Sequence, residues 1–312
     1  MTLRRLALTL SLLPATNALA DTLERDAALK LPDMLISANR QVEERSTSSA
    51  ASSVFTREDI ERLQPGSVND LLSRVPGVQV APSGGRGSLP GIFIRGTKSA
   101  QSLVLVDGQR IANATSADSN LQFLSVDQIE RVEVLRGSRS VIYGADAIGG
   151  VIQIFTRRGA EQGLKPRLKV GYGSNNSWQR SMGLSGGDQQ THFNLGVSLD
   201  ETAGINRSQE SFASDGDDDA YRNKSLSLNL SHQLDDDIEI GLNLLDNRGK
   251  TEFDNSFGRY DPATQNSVGQ QPYSKFDLSS VSTYFDVRLS EHWKSRLELG
   301  HSENRDTSLD TL

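Results

Sequence analysis

The chain has 312 residues, no cysteine, and a net charge of −7 from 33 basic and 40 acidic side chains. The absence of cysteine excludes disulfide bonds and thiolate metal sites, and the acidic balance disfavours nucleic acid as a partner. Past residue 20 no run of 18 apolar residues occurs, which excludes a membrane-spanning helix but leaves membrane strands open, because those alternate apolar and polar residues.

Residues 1–20 have the features of a secretory signal peptide. Arg4 and Arg5 precede an apolar run at 6–13, and Ala18-Leu19-Ala20 supplies small residues for cleavage. We therefore expect residues 1–20 to be removed during export. Residues 21–53 are polar and rich in serine near their end, which predicts a flexible segment with one apolar-leaning island at 32–40.

Residues 54–160 contain helix and strand signals in close succession. Thr56 with Asp59, and Ser67 with Asp70, have the spacing of capping boxes and predict two short helices, the second ended by Pro76-Gly77. Short apolar runs at 78–81, 92–95 and 103–106 predict strands, and Asp107-Gly108 predicts a hairpin turn. This part is predicted to be a compact α+β domain.

After residue 163 apolar residues alternate with polar ones, which predicts strands with one apolar face. The alternation recurs in seven segments, centred near Val170, Met182, Val197, Leu228, Ile240, Phe285 and Leu297. The connections after the third and fifth segments are long, and those after the second, fourth and sixth are short. This sorting is typical of a transmembrane barrel, whereas alternation alone would also fit a soluble sandwich.

Several phrases together resemble the plug domain of TonB-dependent outer-membrane receptors. They are Ile129-Glu130-Arg131-Val132-Glu133-Val134-Leu135-Arg136-Gly137, Tyr143-Gly144-Ala145-Asp146-Ala147-Ile148-Gly149-Gly150-Val151-Ile152, Ile94-Arg95-Gly96 and Val104-Leu105-Val106-Asp107-Gly108. Within that family the chain resembles the cobalamin (vitamin B12) receptors through Gly84-Gly85-Arg86-Gly87-Ser88-Leu89, Ile92-Phe93-Ile94-Arg95-Gly96-Thr97 and Ala38-Asn39-Arg40. The resemblance implies a plug domain at 54–160, followed at 161–312 by antiparallel β-strands of an incomplete transmembrane β-barrel in the Gram-negative outer membrane.

The resemblance also implies a Ton box, the segment that the energy-transducing TonB protein grips from the periplasm. An extended, otherwise unpaired segment would add as a strand to a sheet edge of TonB, so the affinity would come from main-chain hydrogen bonds. The matching residues are Asp33, Met34, Leu35, Ile36, Ser37 and Ala38. An ordinary N-terminal strand of the plug is the alternative.

Two plug loops match those that meet the ligand in the resembling receptors. Both consist of small and polar residues, which suit hydrogen bonding to an amide-decorated ligand, although plain surface loops have the same composition. The implied ligand-binding residues are Ser83, Gly84, Gly85, Arg86, Gly87, Ser88, Leu89, Asn113, Thr115, Ser116 and Asn120.

Clustered carboxylates at 215–219 suit a hard cation such as calcium. An EF-hand is excluded, because Ala220 stands where the calcium loop requires glycine. The resemblance to cobalamin receptors implies calcium binding by Asp217, Asp219 and Asp254. A solvated acidic loop accounts for the same residues.

The sequence has one pattern typical of enzymes, but the residues around it do not fit a catalytic site. Gly183-Leu184-Ser185-Gly186-Gly187 fits the nucleophile pattern G-x-S-x-G, but no helix signal follows it. The four histidines are isolated from one another in the sequence. We therefore predict a protein that is not an enzyme and has no catalytic cofactor.

The strand count sets this chain apart from a complete receptor. A plugged transporter has about 22 strands, and the seven predicted here imply the N-terminal half of a cobalamin receptor, through truncation, an interrupted frame or an incomplete sequence. Its partners would be TonB, cobalamin and outer-membrane lipid. A siderophore or haem receptor is the alternative within the family, and a periplasmic plug-plus-stub product that only binds ligand or TonB is the alternative outside transport.

Overall fold

The computed structural model describes residues 34–35, 43–44, 51–111, 119–159, 163–206, 218–253, 259–263, 266–268, 272–291 and 293–309. Two short strands come first, β1 (Met34–Leu35) and β2 (Glu43–Glu44), which pair antiparallel. An N-terminal domain follows at 51–159, and a large antiparallel sheet takes up the rest of the described chain.

The N-terminal domain is a small α+β unit, as the sequence predicts. The elements are β3 (Ala51–Phe55), α1 (Arg57–Leu63), α2 (Val68–Leu72), β4 (Val78–Ala81), β5 (Gly91–Ile94), β6 (Ser102–Val106), β7 (Gln109–Arg110), β8 (Ile129–Arg136), α3 (Ser140–Tyr143) and β9 (Gly150–Thr156). The main sheet has the order β3-β8-β9-β6-β7, in which only β6 and β9 run parallel, and β4 pairs with β5 separately. Strand β3 begins at Ala51, inside the segment predicted to be flexible.

Both predicted helix starts are present, but only one is a complete capping box. The Thr56 hydroxyl accepts from the Asp59 N–H, and the Asp59 carboxylate accepts in return from the Thr56 N–H at 3.2 Å. At α2 the Ser67 hydroxyl accepts from the Asp70 N–H at 3.2 Å. The second helix ends at Leu72, four residues before Pro76.

The backbones of β8 and β9 lie close together at Gly150. A Cβ on Gly150 would stand 2.2 Å from the Leu135 carbonyl oxygen, so this position admits only glycine without a shift of the backbone. Arg136 donates from Nη2 to the Ser52 carbonyl at 3.1 Å and from Nη1 to the Pro76 carbonyl at 2.5 Å. It thereby joins β8 to β3 and to the turn after α2.

The second part is one antiparallel sheet of seven strands, which confirms the predicted number. The order is the chain order, and the sheet does not close on itself within the described residues. The strands are β10 (Gly163–Gly173), β11 (Ser177–Gly187), β12 (Thr191–Thr202), β13 (Tyr221–Asp235), β14 (Ile238–Glu252), β17 (Tyr273–Ser290) and β18 (Trp293–Leu309). A small hairpin that the sequence did not reveal, β15 (Arg259–Asp261) with β16 (Asn266–Val268), lies between β14 and β17.

The two faces of this sheet differ in polarity. The outer face exposes the alternating apolar residues, as at the register pair Val197 and Leu226. The inner face carries polar residues such as Asn223 and Ser227, which are buried where the N-terminal domain lies against the sheet. No helix in the described part of the chain is long and apolar enough to cross a membrane.

The strand connections are sorted by length as predicted, with one exception. The connections after β12 (203–220) and β14 (253–272) are long, and those after β11, β13 and β17 are short. The first connection, 174–176 after β10, is also short although it lies at the same end as the long ones. We refer to this end of the sheet as the long-loop end and to the other as the short-turn end.

Candidate functional site

A recess of about 420 Å³ lies at the long-loop end, between the N-terminal domain and the sheet. One side is formed by the first predicted ligand loop, and the other by Asp219, which precedes β13, and by the ends of β14, β17 and β18. The predicted residues that line this apical recess are Ser83, Gly84, Gly85, Gly87, Ser88 and Leu89.

Arg86, the remaining predicted residue of this loop, lies in a second, adjoining cavity. Its Nη2 is 3.3 Å from the Gly66 carbonyl and 3.9 Å from Asp200 Oδ1, and its guanidinium lies 5.2 Å from the centre of the Tyr221 ring. The Arg86 carbonyl accepts from Thr251 Oγ1 at 2.8 Å. In this structure Arg86 therefore fastens the loop to the sheet.

Gly87 permits this close approach. Its φ of +86° lies in the left-handed region that favours glycine, and a Cβ would stand 2.5 Å from the Tyr221 ring. The loop backbone can therefore lie directly on an aromatic side chain of the sheet.

The chain around 119–124 is fastened to the sheet by different contacts. The Phe123 ring stacks on Phe276 with 3.6 Å between centroids, and the Phe123 carbonyl accepts from Asn223 Nδ2 at 2.8 Å. The predicted residue Asn120 is buried, and its Nδ2 has no hydrogen-bond partner among the residues that the structure describes. Asn113, Thr115 and Ser116 lie outside the described residues.

Both charged side chains among the described residues that line the apical recess are acidic. Asp219 and Asp306 line it, and the Asp306 carboxylate accepts from the Ser274 hydroxyl. No lysine, arginine or histidine is among the described residues that line it. Asp217 and Asp254 lie outside the described residues, and within the described ranges no group of three His, Cys, Asp or Glu side chains could hold a metal ion.

Several of these contact residues were missed in the sequence. Tyr221, Asn223, Thr251 and Phe276 lie on strands, where alternation indicates only that they face the inner side. The sequence held one signal for them: each lies near the end of a strand, beside a long connection. Nothing local in the sequence shows which loop of the N-terminal domain each one meets.

The predicted Ton box is only partly described. Met34 and Leu35 pair with Glu44 and Glu43 within the chain, and the binding of TonB by residues 33–38 stays a prediction. Asp33 and residues 36–38 lie outside the described ranges.

The serine of the G-x-S-x-G pattern lies within a strand. Ser185 is buried in β11, where its hydroxyl accepts from Arg167 Nη1 at 3.0 Å. The next element is β12, with no helix between them. This arrangement lacks the strand-to-helix turn that exposes a nucleophile.

Comparison with known proteins finds similar proteins for both the N-terminal domain and the sheet. The sequence model of the TonB-dependent Receptor Plug Domain matches residues 44–151. The chain is 33% identical over 270 residues to the vitamin B12 transporter BtuB of Vibrio cholerae serotype O1, covering 85% of this chain and 42% of that protein. It is 34% identical over 275 residues to that of Vibrio vulnificus, with 87% and 42% covered.

Solved structures share the fold at lower sequence identity. The ferric yersiniabactin uptake receptor FyuA from Yersinia pestis superposes with a TM-score of 0.66 at 21% identity, covering 84% of this chain and 42% of that one. The ferripyoverdine receptor of the outer membrane of Pseudomonas aeruginosa gives 0.66 at 16%, covering 86% and 36%. The chain thus spans less than half the length of the proteins it matches.

Proposed function

Because the chain belongs to the TonB-dependent receptor family and so to the outer membrane, we propose that it is the ligand-capturing, TonB-responsive part of a cobalamin uptake receptor. Members of this family are receptors, which supports a role without catalysis. The plug-like domain would occlude the path inward, and a pull on the segment at 33–38 would release the ligand.

The charge of the apical recess is the observation that carries the choice of ligand. Ferric siderophores of the catecholate type are multiply anionic and call for cationic side chains, because an anion left beside carboxylates is repelled in a partly buried site. The described lining of the recess offers hydroxyls, backbone groups, Gln122 and two carboxylates. Such groups suit a ligand covered with neutral amides, as cobalamin is. The relatives named as vitamin B12 transporters agree with this choice.

Equilibrium binding to the detergent-solubilised chain tests the ligand. We expect saturable binding of cyanocobalamin and no competition by ferric enterobactin. Leu89→Trp, which fills the recess from its rim, should weaken cobalamin binding, whereas Leu234→Trp, an exposed leucine at the short-turn end, should not. Preferential binding of the ferric chelate would overturn the ligand and leave the family intact.

We further propose that residues 33–38 bind TonB by strand addition. Leu35→Pro removes a main-chain donor and should abolish capture by the periplasmic domain of TonB, while ligand binding persists. Leu35→Ala is the matched control, because it removes the side chain but keeps the N–H. Equal capture of the proline and alanine variants would exclude strand addition at this residue.

Calcium binding by Asp217, Asp219 and Asp254 is the remaining proposal for this site. Asp219 is buried at the edge of the recess, so an ion there would lie close to the ligand. We expect calorimetric calcium binding that Asp219→Asn reduces and Asp235→Asn, at the short-turn end, leaves unchanged. A calcium titration without heat, together with ligand affinity indifferent to calcium, would remove the proposal.

A further inference from the structure

The strand register places like charges opposite one another on the outer face of the sheet at the long-loop end. Lys224 on β13 is paired with Arg248 on β14, and Arg222 is paired with Lys250. Lys250 is in turn paired with Lys275 on β17. Directly opposed like charges destabilise a sheet, so three such pairs in one place favour an anionic partner that is not part of the sheet.

The neighbouring carboxylates do not neutralise this cluster. Glu201 is shared between Arg180 at 3.1 Å and Arg222 at 3.0 Å. Within the described residues, no carboxylate lies in ion-pair distance of Lys224 or Lys275. The cluster as a whole sets six cations, Arg180, Arg222, Lys224, Arg248, Lys250 and Lys275, against four carboxylates, Glu201, Asp246, Glu252 and Asp277. This local excess of positive charge stands out in a chain whose net charge is −7.

A shallow apolar hollow of about 660 Å³ adjoins the cluster on the same outer face. Its floor is formed by Leu168, Met182, Val197 and Leu226, and three cations of the cluster lie along its rim: Arg180, Lys224 and Arg248. All three are within about four residues of the long-loop end of their strands. Apolar surface thus continues from the cations toward the short-turn end, in the direction of a membrane interior.

We propose that this outer-face cluster and its hollow bind a phosphorylated, acylated lipid of the outer leaflet. The phosphate would lie between opposed cations such as Lys224 and Arg248 and relieve their repulsion, since arginine and lysine bind phosphate through charge-assisted hydrogen bonds. One acyl chain would occupy the hollow. A free phosphate ion would satisfy the cations but leave the apolar floor uncovered, so the hollow favours a lipid.

The two tryptophans of the chain offer matched reporters for a test. Trp178 faces outward at the long-loop end, next to Arg180, whose guanidinium lies 4.9 Å from its ring. Trp293 begins β18 at the short-turn end. Single-tryptophan chains, made by Trp293→Phe or Trp178→Phe, therefore report lipid contact at one end of the sheet at a time.

The experiment adds lipids with brominated acyl chains to the detergent-solubilised chain and measures fluorescence quenching. Phosphatidic acid should quench Trp178 at a roughly tenfold lower mole fraction than phosphatidylcholine with identical chains, while Trp293 should not distinguish them. Lys224→Gln with Lys275→Gln should remove the preference. Lys165→Gln with Lys294→Gln, two lysines at the short-turn end, should keep it.

Equal quenching of Trp178 by the two lipids, or a preference that survives the Lys224 and Lys275 substitutions, would overturn the lipid site. Inorganic phosphate serves as a competitor at matched ionic strength. If it abolishes the preference at concentrations comparable to those of the lipid, the cluster is a simple anion site and the proposal is wrong. Circular dichroism of each variant confirms that the sheet is intact.

Discussion

Gly150 shows how a single residue fixes the packing of the N-terminal domain. An alanine Cβ would stand 2.2 Å from the Leu135 carbonyl oxygen, which belongs to backbone and cannot move aside alone. We expect Gly150→Ala to lower the opening free energy of β8 and β9 by about 1–3 kcal/mol, as overpacking does. Hydrogen exchange of peptides from these strands measures it. Gly171→Ala, whose Cβ would meet nothing closer than 3.6 Å, is the control, and an equal effect of both would refute the packing argument.

Asp107 gives a pH dependence of defined sign. Burial raises the pKa of its carboxyl above the ordinary value, opposed by hydrogen bonds from the Thr156 hydroxyl at 2.5 Å and N–H at 3.0 Å. The folded state therefore keeps its proton to higher pH than the unfolded state, and stability falls as pH rises through that window. An asparagine at this position would not ionise and would also suit the left-handed φ of 45°. Asp107→Asn should thus gain stability relative to the parent as pH rises from about 4 to 7.

Asp188 provides the opposite case within the same chain. The N–H groups of Thr191 and Gln190 lower the pKa of this exposed carboxyl. Its contribution to the stability of the fold is therefore present above the ordinary carboxyl pKa and is lost as pH falls. Asp188→Asn should be less stable than the parent at neutral pH, and the difference should close in acid. Thermal unfolding midpoints across pH measure both variants. Parallel pH profiles for Asp107→Asn and Asp188→Asn would contradict this assignment.

At the scale of elements, the two helix caps predict graded effects. Thr56→Ala removes a complete capping box, whereas Ser67→Ala removes one side-chain bond to a backbone N–H. We expect a loss of about 1 kcal/mol at α1, with a smaller loss at α2, within the usual range for N-caps. Hydrogen exchange of the two helices measures the difference. A larger loss at α2 would contradict this ranking. It would mean that Ser67 supports the packing of the buried residues of α2 and does not act only through its cap hydrogen bond.

Local sequence patterns predicted most helices and strands. They failed where a strand forms only because it pairs with a segment that is distant in the sequence. The alternation located all seven large strands, because one face meets an apolar surrounding along its length. Strand β3 escaped detection because Ala51 to Phe55 is rich in serine. It is a strand because it pairs with β8 and because Arg136 binds the Ser52 carbonyl, 84 residues away.

At the scale of the whole molecule, the candidate site was predicted on one side only. The glycine-rich loop was recognisable in the sequence, and the structure brings six of its residues to the apical recess. The opposing wall was not recognisable in the sequence. Tyr221 contacts the glycine-rich loop, and Phe276 contacts Phe123, in each case across more than 90 residues of sequence. The absence of basic residues among the described lining of the recess, which decides the proposed ligand, emerges only when both sides are assembled.

The docking of the N-terminal domain on the sheet can be tested by a covalent bond. The hydroxyls of Ser125 and Ser198 on β12 are 2.9 Å apart and buried, and the chain has no cysteine to interfere. Ser125→Cys with Ser198→Cys should therefore form a disulfide readily upon oxidation. Closing a loop of 73 residues should stabilise the docked domain by up to about 4 kcal/mol if the bond forms without strain.

The control for this bond places the second cysteine elsewhere on the same inner face. Ser231 lies on β13, six residues beyond Ser225, the register partner of Ser198, or about 20 Å toward the short-turn end. Ser125→Cys with Ser231→Cys should remain reduced, because cysteines so far apart cannot bond without moving the domain. Gel mobility with and without reductant distinguishes the two variants. Equal oxidation of both would mean that the domain slides over the sheet, and the fixed contacts of Arg86 and Phe123 could not then define a binding recess.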